Sequence, residues 1–348
     1  MRKYIYFSFV VILFFMACSD DKKQNVSFLD TSYSGDLLKL TLNGVELAGR
    51  MVKVSPLDEG RAEIYLSAFL PGEEEVKVIV EGVQIGTAIG VYGNDKDDYR
   101  SLVIKGEIED GRLTLQAEVE VYSDIIGKWN LPDGNNVPTD RLNNSAVYFN
   151  LVNREVQTIK LPVYLYNGNK DEHNQPIYDY PQVVPVENPG DGTRWLGECM
   201  MTGVLTNFYY SLVPEIEFMA NGNVRLTILP TREDEPMVLP DGLLRYGVRD
   251  GKIWLMMEQN ESFKKVGIAF VLKQENKRLK VTVDKTLLDT YITLSPYLKM
   301  LLNYQNEIGR FQNGRTTEES VRVFIDEDFL LLLRTSERFE LGFNLLSK

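Results

Sequence analysis

Residues 102–121 carry the pattern that most constrains the fold of this chain. Apolar and polar side chains alternate from Leu102 to Glu109 and again from Arg112 to Val121, and Asp110-Gly111 separates the two runs. Alternation places every second side chain on one face of a strand, and an Asp-Gly pair accepts the positive φ angles of a tight turn. The segment therefore predicts an antiparallel β-hairpin with one buried face and one solvated face.

The same pattern recurs through the first third of the chain. Alternating segments cover 36–42 and 45–47 on either side of Asn43-Gly44, and further strand-like segments cover 61–69 and 76–81. Asn-Gly is a dipeptide that the type I′ hairpin turn favours. Residues 28–124 therefore predict an all-β domain of seven or eight short strands, folded as a small sandwich or barrel.

A second antiparallel β unit is predicted over 125–348. Three hairpins are expected, at 215–228, 242–257 and 266–283, and 338–345 forms a closing strand. Helices are predicted at 198–212 and from Ser295-Pro296 onward, where proline takes the favoured first helical position. For 321–333 both a helix and a pair of strands fit the pattern, and we favour the strands.

The first 18 residues carry an export signal. Arg2 and Lys3 precede an uncharged apolar run over 4–16, which is shorter than the ~20 residues that a membrane-spanning helix needs. Phe15-Met16-Ala17-Cys18 resembles the lipobox of bacterial lipoproteins, with Phe15 at a position where that motif usually has Leu. The resemblance implies a signal peptide over 1–17, lipidation of Cys18 and a tether over 18–27.

The net charge of the chain and the residues after Cys18 indicate where the protein is located in the cell. Ser19-Asp20-Asp21 resembles the surface-export signal of Bacteroidetes lipoproteins, the alternative being a plain solvated tether. The formal net charge is −12, and it becomes −14 without residues 1–17. Anionic lipids and nucleic acids repel such a body, so we expect no nucleic-acid partner and a body that hangs from the membrane on its tether. The predicted location is the outer membrane, lipid-anchored and surface-exposed.

Gly127-Lys128-Trp129, at the start of the second unit, resembles the first-strand motif of lipocalins and other calycins. In those proteins the tryptophan closes one end of a barrel, and the resemblance implies that Arg334 or Arg338 packs across Trp129. With its lipobox and hairpins, the chain as a whole resembles Bacteroidetes surface lipoproteins with calycin-like β-barrel domains, which are mostly of unknown function. The resemblance implies a C-terminal barrel with inserted helices and supplies no catalytic residue.

Few residues in this sequence suit catalysis or metal binding. His173 is the only histidine and lies in a polar segment, while Cys199 is the only cysteine besides Cys18 and begins an apolar stretch. Three glutamates are explained as polar-face residues of strands: Glu215, Glu217 and Glu258. The segment 94–98 is either a calcium-binding turn or an ordinary acidic turn. We predict that the protein is not an enzyme and has no cofactor and no metal site.

Aromatic side chains mark the candidate binding surface, which consists of Tyr164, Tyr166, Tyr178, Tyr180 and Trp195. Tyr and Trp combine a flat apolar face with a polar atom, which suits sugar rings and protein partners. Residues 166–195 contain four prolines and predict a long loop, a feature that is often functional. The alternative is that the tyrosines point inward from edge strands and fill the barrel.

Two functions fit these features. The first is a non-catalytic binding or accessory module for a glycan, a peptide or a lipophilic ligand at the cell surface. The second is an envelope structural or protein-interaction module without a small ligand. An open cavity in the C-terminal barrel favours the first function, whereas a barrel filled with side chains favours the second.

Overall fold

A computed structural model describes residues 26–58, 60–131, 147–193, 195–202, 215–228, 235–257, 267–307 and 314–347. Strands account for 55% of these residues and helices for 17%, which confirms the predicted mainly-β fold. None of the helices within these ranges combines the length and the apolar character that crossing a bilayer requires. Cys18 and the rest of the predicted export signal lie outside the described residues.

The strands of the described ranges are β1 (Thr31–Ser34), β2 (Leu38–Leu42), β3 (Val45–Glu46), β4 (Met51–Asp58), β5 (Arg61–Ser67), β6 (Glu75–Ile85), β7 (Ala88–Lys96), β8 (Arg100–Glu109), β9 (Arg112–Val121), β10 (Gly127–Asn130), β11 (Val147–Val152), β12 (Thr158–Lys170), β13 (Pro176–Pro185), β14 (Glu215–Phe218), β15 (Val224–Ile228), β16 (Met237–Val238), β17 (Leu244–Arg249), β18 (Lys252–Met257), β19 (Ile268–Glu275), β20 (Arg278–Asp284), β21 (Gly314–Arg315) and β22 (Arg338–Ser347). The helices are α1 (Leu196–Thr202), α2 (Leu288–Glu307), α3 (Glu318–Val323) and α4 (Phe329–Thr335). A π-helical turn (Phe324–Asp328) joins α3 to α4, and 3₁₀ turns cover Gly35–Leu37 and Lys285–Leu287.

The first nine strands form one curled sheet in the order β1-β4-β5-β6-β7-β8-β9-β2-β3. β1 pairs with β4, β2 pairs with β9, and only a 3₁₀ turn separates β1 from β2. The sheet therefore closes into a barrel through this segment, and its inward side chains form the first core. The predicted hairpin turns are confirmed, since Asn43 and Asp110 both have a φ of 49° and each precedes a glycine of positive φ.

Two apolar residues of the N-terminal segment close one end of this first barrel. Val26 and Phe28 are each only 5% exposed. A Cβ atom on Gly82 would come within 2.6 Å of the Phe28 ring, so glycine leaves the space that this ring occupies. The Val26 carbonyl accepts a hydrogen bond of 3.1 Å from the Gly60 amide. The chain therefore enters the first barrel at the end where the β4–β5 and β6–β7 turns lie.

The second sheet has the order β16-β15-β14-β10-β22-β20-β19-β18-β17. An antiparallel bridge between Asn223, directly before β15, and Arg245 of β17 links the β15 side of this order to its opposite end and so closes the sheet. The result is an up-and-down barrel in which β11 continues the line of β10 along β22. Its inward side chains near β10 pack into a separate core around Trp129, Tyr246 and Leu279.

Trp129 lies in β10 at one end of the second barrel, but the predicted arginine does not cover it. Trp129 is 4% exposed and its indole N–H donates to the Ile125 carbonyl at 2.7 Å. Trp129 pairs with Ser347, whereas Arg338 lies at the opposite end of β22. Arg334 is exposed on α4. The expectation of an arginine packed across Trp129 is therefore wrong for both candidates.

Residues 321–333 are helical, so the prediction of two strands is wrong. α3, the π-helical turn and α4 follow one another from Glu318 to Thr335. The Ser320 amide donates to Thr317 Oγ1 at 3.0 Å and the Thr317 amide donates to Ser320 Oγ at 3.0 Å, so a capping box starts this helical segment. Four buried side chains recur at spacings of three or four residues: Val321, Ile325, Phe329 and Leu332.

Two predicted helices have different bounds. α2 begins at Leu288, and Pro296 lies inside the helix rather than at its first position. Asp284 starts this helical segment, because its carboxylate accepts from the Thr286 amide at 2.9 Å and caps the 3₁₀ turn before α2. In the region predicted as a helix over 198–212, α1 extends to Thr202, and 203–214 lie outside the described residues.

The segment predicted as a long aromatic loop is mostly a β-hairpin. β12 and β13 pair over most of their length and are joined by a short turn that Asp171 stabilises by accepting from the Gln175 amide at 2.8 Å. Pro181 and Pro185 lie in β13, an edge strand of the three-stranded sheet β13-β12-β21. Edge strands tolerate proline because one row of amides needs no strand partner. The prolines therefore do not break the hairpin.

The two barrels contact each other at one end of the first barrel. This end lies opposite the one that Val26 and Phe28, the N-terminal plug, close. The Asn43 amide group donates to the Asn221 carbonyl at 2.7 Å, and Tyr99 donates to Asp250 at 2.8 Å. The guanidinium of Arg249 contacts Asp97 at 2.5 Å. These contacts come from hairpin turns of both barrels.

Candidate functional site

An apolar cavity of about 150 Å³ lies where the second barrel meets the helices. Strand register explains the barrel wall: Val281 faces Phe343 and Val283 faces Leu341 across β20 and β22. Side chains two residues apart share one face of a strand, so these residues continue the inward face that holds Leu279. The cavity is therefore at a mouth of the barrel, beyond the side chains that fill the region around Trp129.

The cavity wall consists almost entirely of carbon, and six parts of the chain contribute to it. The barrel contributes Phe270, Val283, Leu341, Gly342 and Phe343, α2 contributes Tyr291, Leu294, Leu298 and Leu302, the π-helical turn contributes Phe324 and Ile325, α4 contributes Phe329, β12 contributes Leu161, Pro162 and Val163, and α1 contributes Cys199. Among these described residues none is charged.

Helix α2 forms one side of the cavity through a single face. Tyr291, Leu294, Leu298 and Leu302 recur every three or four residues, which is the spacing of one helical stripe. Thr290 holds the helix on the barrel, because its hydroxyl donates to the Ala269 carbonyl of β19 at 3.1 Å. The barrel and α2 are thus joined next to the cavity.

Two polar contacts hold the π-helical turn against α2. The Tyr291 hydroxyl donates to the Ile325 carbonyl at 2.9 Å, and both residues line the cavity. Lys299 of α2 and Asp326 form an ion pair of 2.7 Å. π-helical turns are uncommon and are frequently found at functional sites. Here the π-helical turn places Phe324 and Ile325 in the cavity wall, and its Ile325 carbonyl accepts the hydrogen bond from Tyr291.

The chemistry of the wall suits burial of an apolar molecule and not proton transfer. Burial raises the pKa of the Tyr291 hydroxyl well above its ordinary value, so this group stays protonated and its proton is engaged by the Ile325 carbonyl. Cys199 forms no disulfide. General acid–base or triad chemistry needs a base within hydrogen-bond reach of an acid or nucleophile, and no described wall residue carries a carboxylate or an imidazole.

The structure brings the four predicted tyrosines onto one hairpin and separates Trp195 from them. Tyr164 and Tyr166 lie in β12, Tyr178 and Tyr180 lie in β13, and the side chains of Tyr166 and Tyr180 are not among the described parts. The Arg315 guanidinium lies 4.7 Å from the centre of the half-buried Tyr178 ring. Tyr164 lines an open groove of about 550 Å³. Trp195 packs against the apolar core that the helices form with the second barrel, which we call the helical core.

The other predicted residues occupy ordinary structural positions where they are described. His173 is exposed in the β12–β13 turn, 3.5 Å from Glu172. Two glutamates of β14 form ion pairs, Glu215 with Lys128 at 2.7 Å and Glu217 with Arg225 at 3.2 Å; Glu258 lies outside the described residues. In 94–98, Asp95 and Asp97 contact Arg100 and Arg249. Across the described ranges, no group of three acidic, His or Cys side chains has the geometry of a metal site.

Sequence reasoning missed most of the cavity wall. The helix predicted from Ser295 onward includes Leu298 and Leu302, but the residues that face them across the cavity come from strands and helices that are distant in sequence. Misassignment of 321–333 as strands also hid Phe324, Ile325 and Phe329. The spacing of these three side chains fits a helix and was the signal that could have revealed them.

Compared with known protein families, with curated proteins and with solved structures, the chain shows no match.

Proposed function

We propose that this protein is a non-catalytic binding lipoprotein that holds a small apolar ligand in the cavity between the second barrel and α2. The observation that carries the proposal is the cavity itself, which has a carbon wall and a volume of about 150 Å³. Of the ligand types expected from sequence, the wall favours a lipophilic one over a glycan, because a sugar would leave its hydroxyl groups without partners there.

The size of the cavity limits the ligand. An apolar cavity of about 150 Å³ stays dry and accepts a molecule the size of benzene, whereas pockets for larger ligands occupy roughly 300–1,000 Å³. A single apolar ring or the end of an acyl chain fits this space. A buried carboxylate or phosphate does not, since the wall offers no charge to pair with it.

Location is part of the same proposal. Lipidation of Cys18 anchors the protein to the outer membrane, and Ser19-Asp20-Asp21 directs it to the cell surface. The lipobox resemblance supports the anchor, and three acyl chains bury far more methylene groups than the single chain that gives only marginal attachment. The protein acts there as a binding or accessory module, without catalysis.

Ligand binding is tested with fluorobenzene and the soluble chain from residue 19. Binding broadens the ¹⁹F resonance of fluorobenzene, and Leu298→Trp, which fills the cavity, abolishes the broadening. Met300→Trp is the matched control, because Met300 lies on the same helix and is 66% exposed. Circular dichroism verifies that both variants fold.

Equal broadening by Leu298→Trp and by the unmodified chain would refute binding in the cavity. If the unmodified chain does not broaden the resonance but binds glucose or a short glycan, the cavity is not the binding site and the aromatic surface at Tyr164 and Tyr178 takes its place. The anchor is tested separately: labelled fatty acid enters the full chain and Cys199→Ala, and does not enter Cys18→Ala.

A further inference from the structure

Three hairpin turns surround the point at which the chain enters the first barrel. β4–β5, β6–β7 and β8–β9 are antiparallel hairpins in one sheet, so their turns lie at the same end of the barrel. We call this end the rim. The second barrel contacts the opposite end, through Asn43 and Tyr99. The rim is therefore the part of the first barrel that is farthest from the cavity.

The tether of the predicted lipid anchor starts at the rim. Val26 and Phe28 pack beside Gly82 of β6, near the β6–β7 turn. Seven residues lie between Cys18 and Val26, so eight residue-to-residue steps join the two. A chain of this length spans at most about 28 Å, so an acylated Cys18 keeps the rim close to the lipid headgroups.

Exposed apolar side chains cluster at this rim. Val83 and Ile85, at the end of β6, are 52% and 54% exposed, and Leu57, at the end of β4, is 45% exposed. Leu29 directly follows the N-terminal plug and is 75% exposed. Single exposed apolar residues are common on protein surfaces, but a group of them in one place marks an interaction site.

From the short tether and this apolar group, we propose that the rim is a membrane-docking surface that rests on the bilayer anchoring Cys18. Val83 and Ile85 enter the headgroup region, and the first barrel stands between the membrane and the second barrel. This inference depends on the lipid anchor of the proposed function. It modifies the expectation that the whole body hangs free of the membrane. The acidic charge keeps most of the protein away from the bilayer, and only the apolar rim contacts the lipid.

Charge at the rim selects the kind of lipid. Glu109 is the last residue of β8, Asp110 lies in the β8–β9 turn and Arg112 is the first residue of β9. The whole chain without residues 1–17 carries a charge of −14. Anionic headgroups repel such a surface, so docking depends on apolar contact and is strongest on zwitterionic lipid. The tether compensates for the weakness of the contact, because it keeps the rim at a high effective concentration near the bilayer.

The test places a fluorescent label at single cysteines of the lipidated full chain in the Cys199→Ala background. Ile85→Cys reports on the rim. Ile79→Cys is the matched control, since Ile79 is 50% exposed and shares the outward face of β6. The proteins are reconstituted in phosphatidylcholine vesicles with and without lipids that carry a doxyl quencher. About 20 Å of strand separates the two labels, so we expect at least about threefold stronger quenching at position 85 than at 79.

Each outcome decides the inference. Vesicle flotation with equal quenching at positions 85 and 79 overturns rim docking while the anchor stands. Loss of flotation removes the anchor and the docking with it. Val83→Asp keeps the fold because the residue is on the surface, and it lowers quenching at position 85 to the level of position 79 if docking is apolar. Stronger quenching at 85 on vesicles with anionic lipid than on phosphatidylcholine refutes the apolar mode.

Discussion

Replacing Arg100 with methionine is expected to destabilise the first barrel and its contact with the second. Arg100 is 6% exposed, and its guanidinium binds both carboxylate oxygens of Glu73 at 2.7 and 2.8 Å and Asp95 at 2.8 Å. Burial lowers the pKa of this guanidinium, but the two carboxylates outweigh burial and raise it above its ordinary value. Methionine retains much of the side-chain volume and removes the charge, so the variant isolates the electrostatic contribution.

The size of the effect follows from what the variant leaves behind. Removing one partner of a buried ion pair costs about 3–5 kcal/mol, because the other charge stays buried without compensation. Glu73 also contacts Arg249 at 3.2 Å, and the Asp95 side chain is 36% exposed, so neither carboxylate is fully stranded. We therefore expect a loss near the lower limit, about 3 kcal/mol.

Urea unfolding of the soluble chain measures this loss. With a slope of about 2 kcal/mol per molar urea, the midpoint falls by about 1.5 M. Arg154→Met is the matched control, because the Arg154 side chain is 81% exposed in its pair with Glu337 and such pairs contribute only about 0.2–1 kcal/mol. Adding Glu73→Gln to Arg100→Met recovers part of the stability, because it removes the more deeply buried of the two carboxylates that lose Arg100; the Asp95 side chain is 36% exposed and remains hydrated. A loss equal to that of Arg154→Met would refute this reasoning.

Three further predictions concern the second barrel. Burial raises the pKa of the Glu340 carboxyl, but the hydrogen bond from Lys273 helps to hold this pKa below the ordinary value of 4.5. Glu340 therefore stabilises the fold above pH 4.5, and this contribution is lost as the pH falls through the lower pKa of the folded state. Glu340→Gln is expected to flatten the decline of the melting temperature at acid pH. Gly342→Ala brings a Cβ to 2.0 Å from the Val281 carbonyl, and calorimetry should show a loss of about 1–3 kcal/mol; an unchanged melting temperature would contradict this close approach. Phe329→Ala removes a ring that is 1% exposed and should cost about 3–5 kcal/mol in urea unfolding, whereas a loss under about 1 kcal/mol would mean that the helical core is loosely packed.

The hairpins could be predicted from sequence because their determinants are local. Alternation over 102–121 sets which side chains face inward, and Asp110-Gly111 supplies the positive φ angles of the turn without help from the rest of the chain. The same holds for the turns at Asn43-Gly44 and Asp250-Gly251. Local signals failed where they conflicted, as in the prolines of β13, which an edge strand tolerates.

Only the tertiary structure decided how the strands close and what they enclose. The first barrel closes because β2, near the start of the chain, pairs with β9, and the second closes because the last strand, β22, pairs with β10 and β20. The cavity combines residues from Leu161 to Phe343, and the rim combines Leu29, Leu57 and Ile85. Alternation and turn chemistry act over a few residues, whereas these neighbours are set by pairings between strands that lie far apart along the chain.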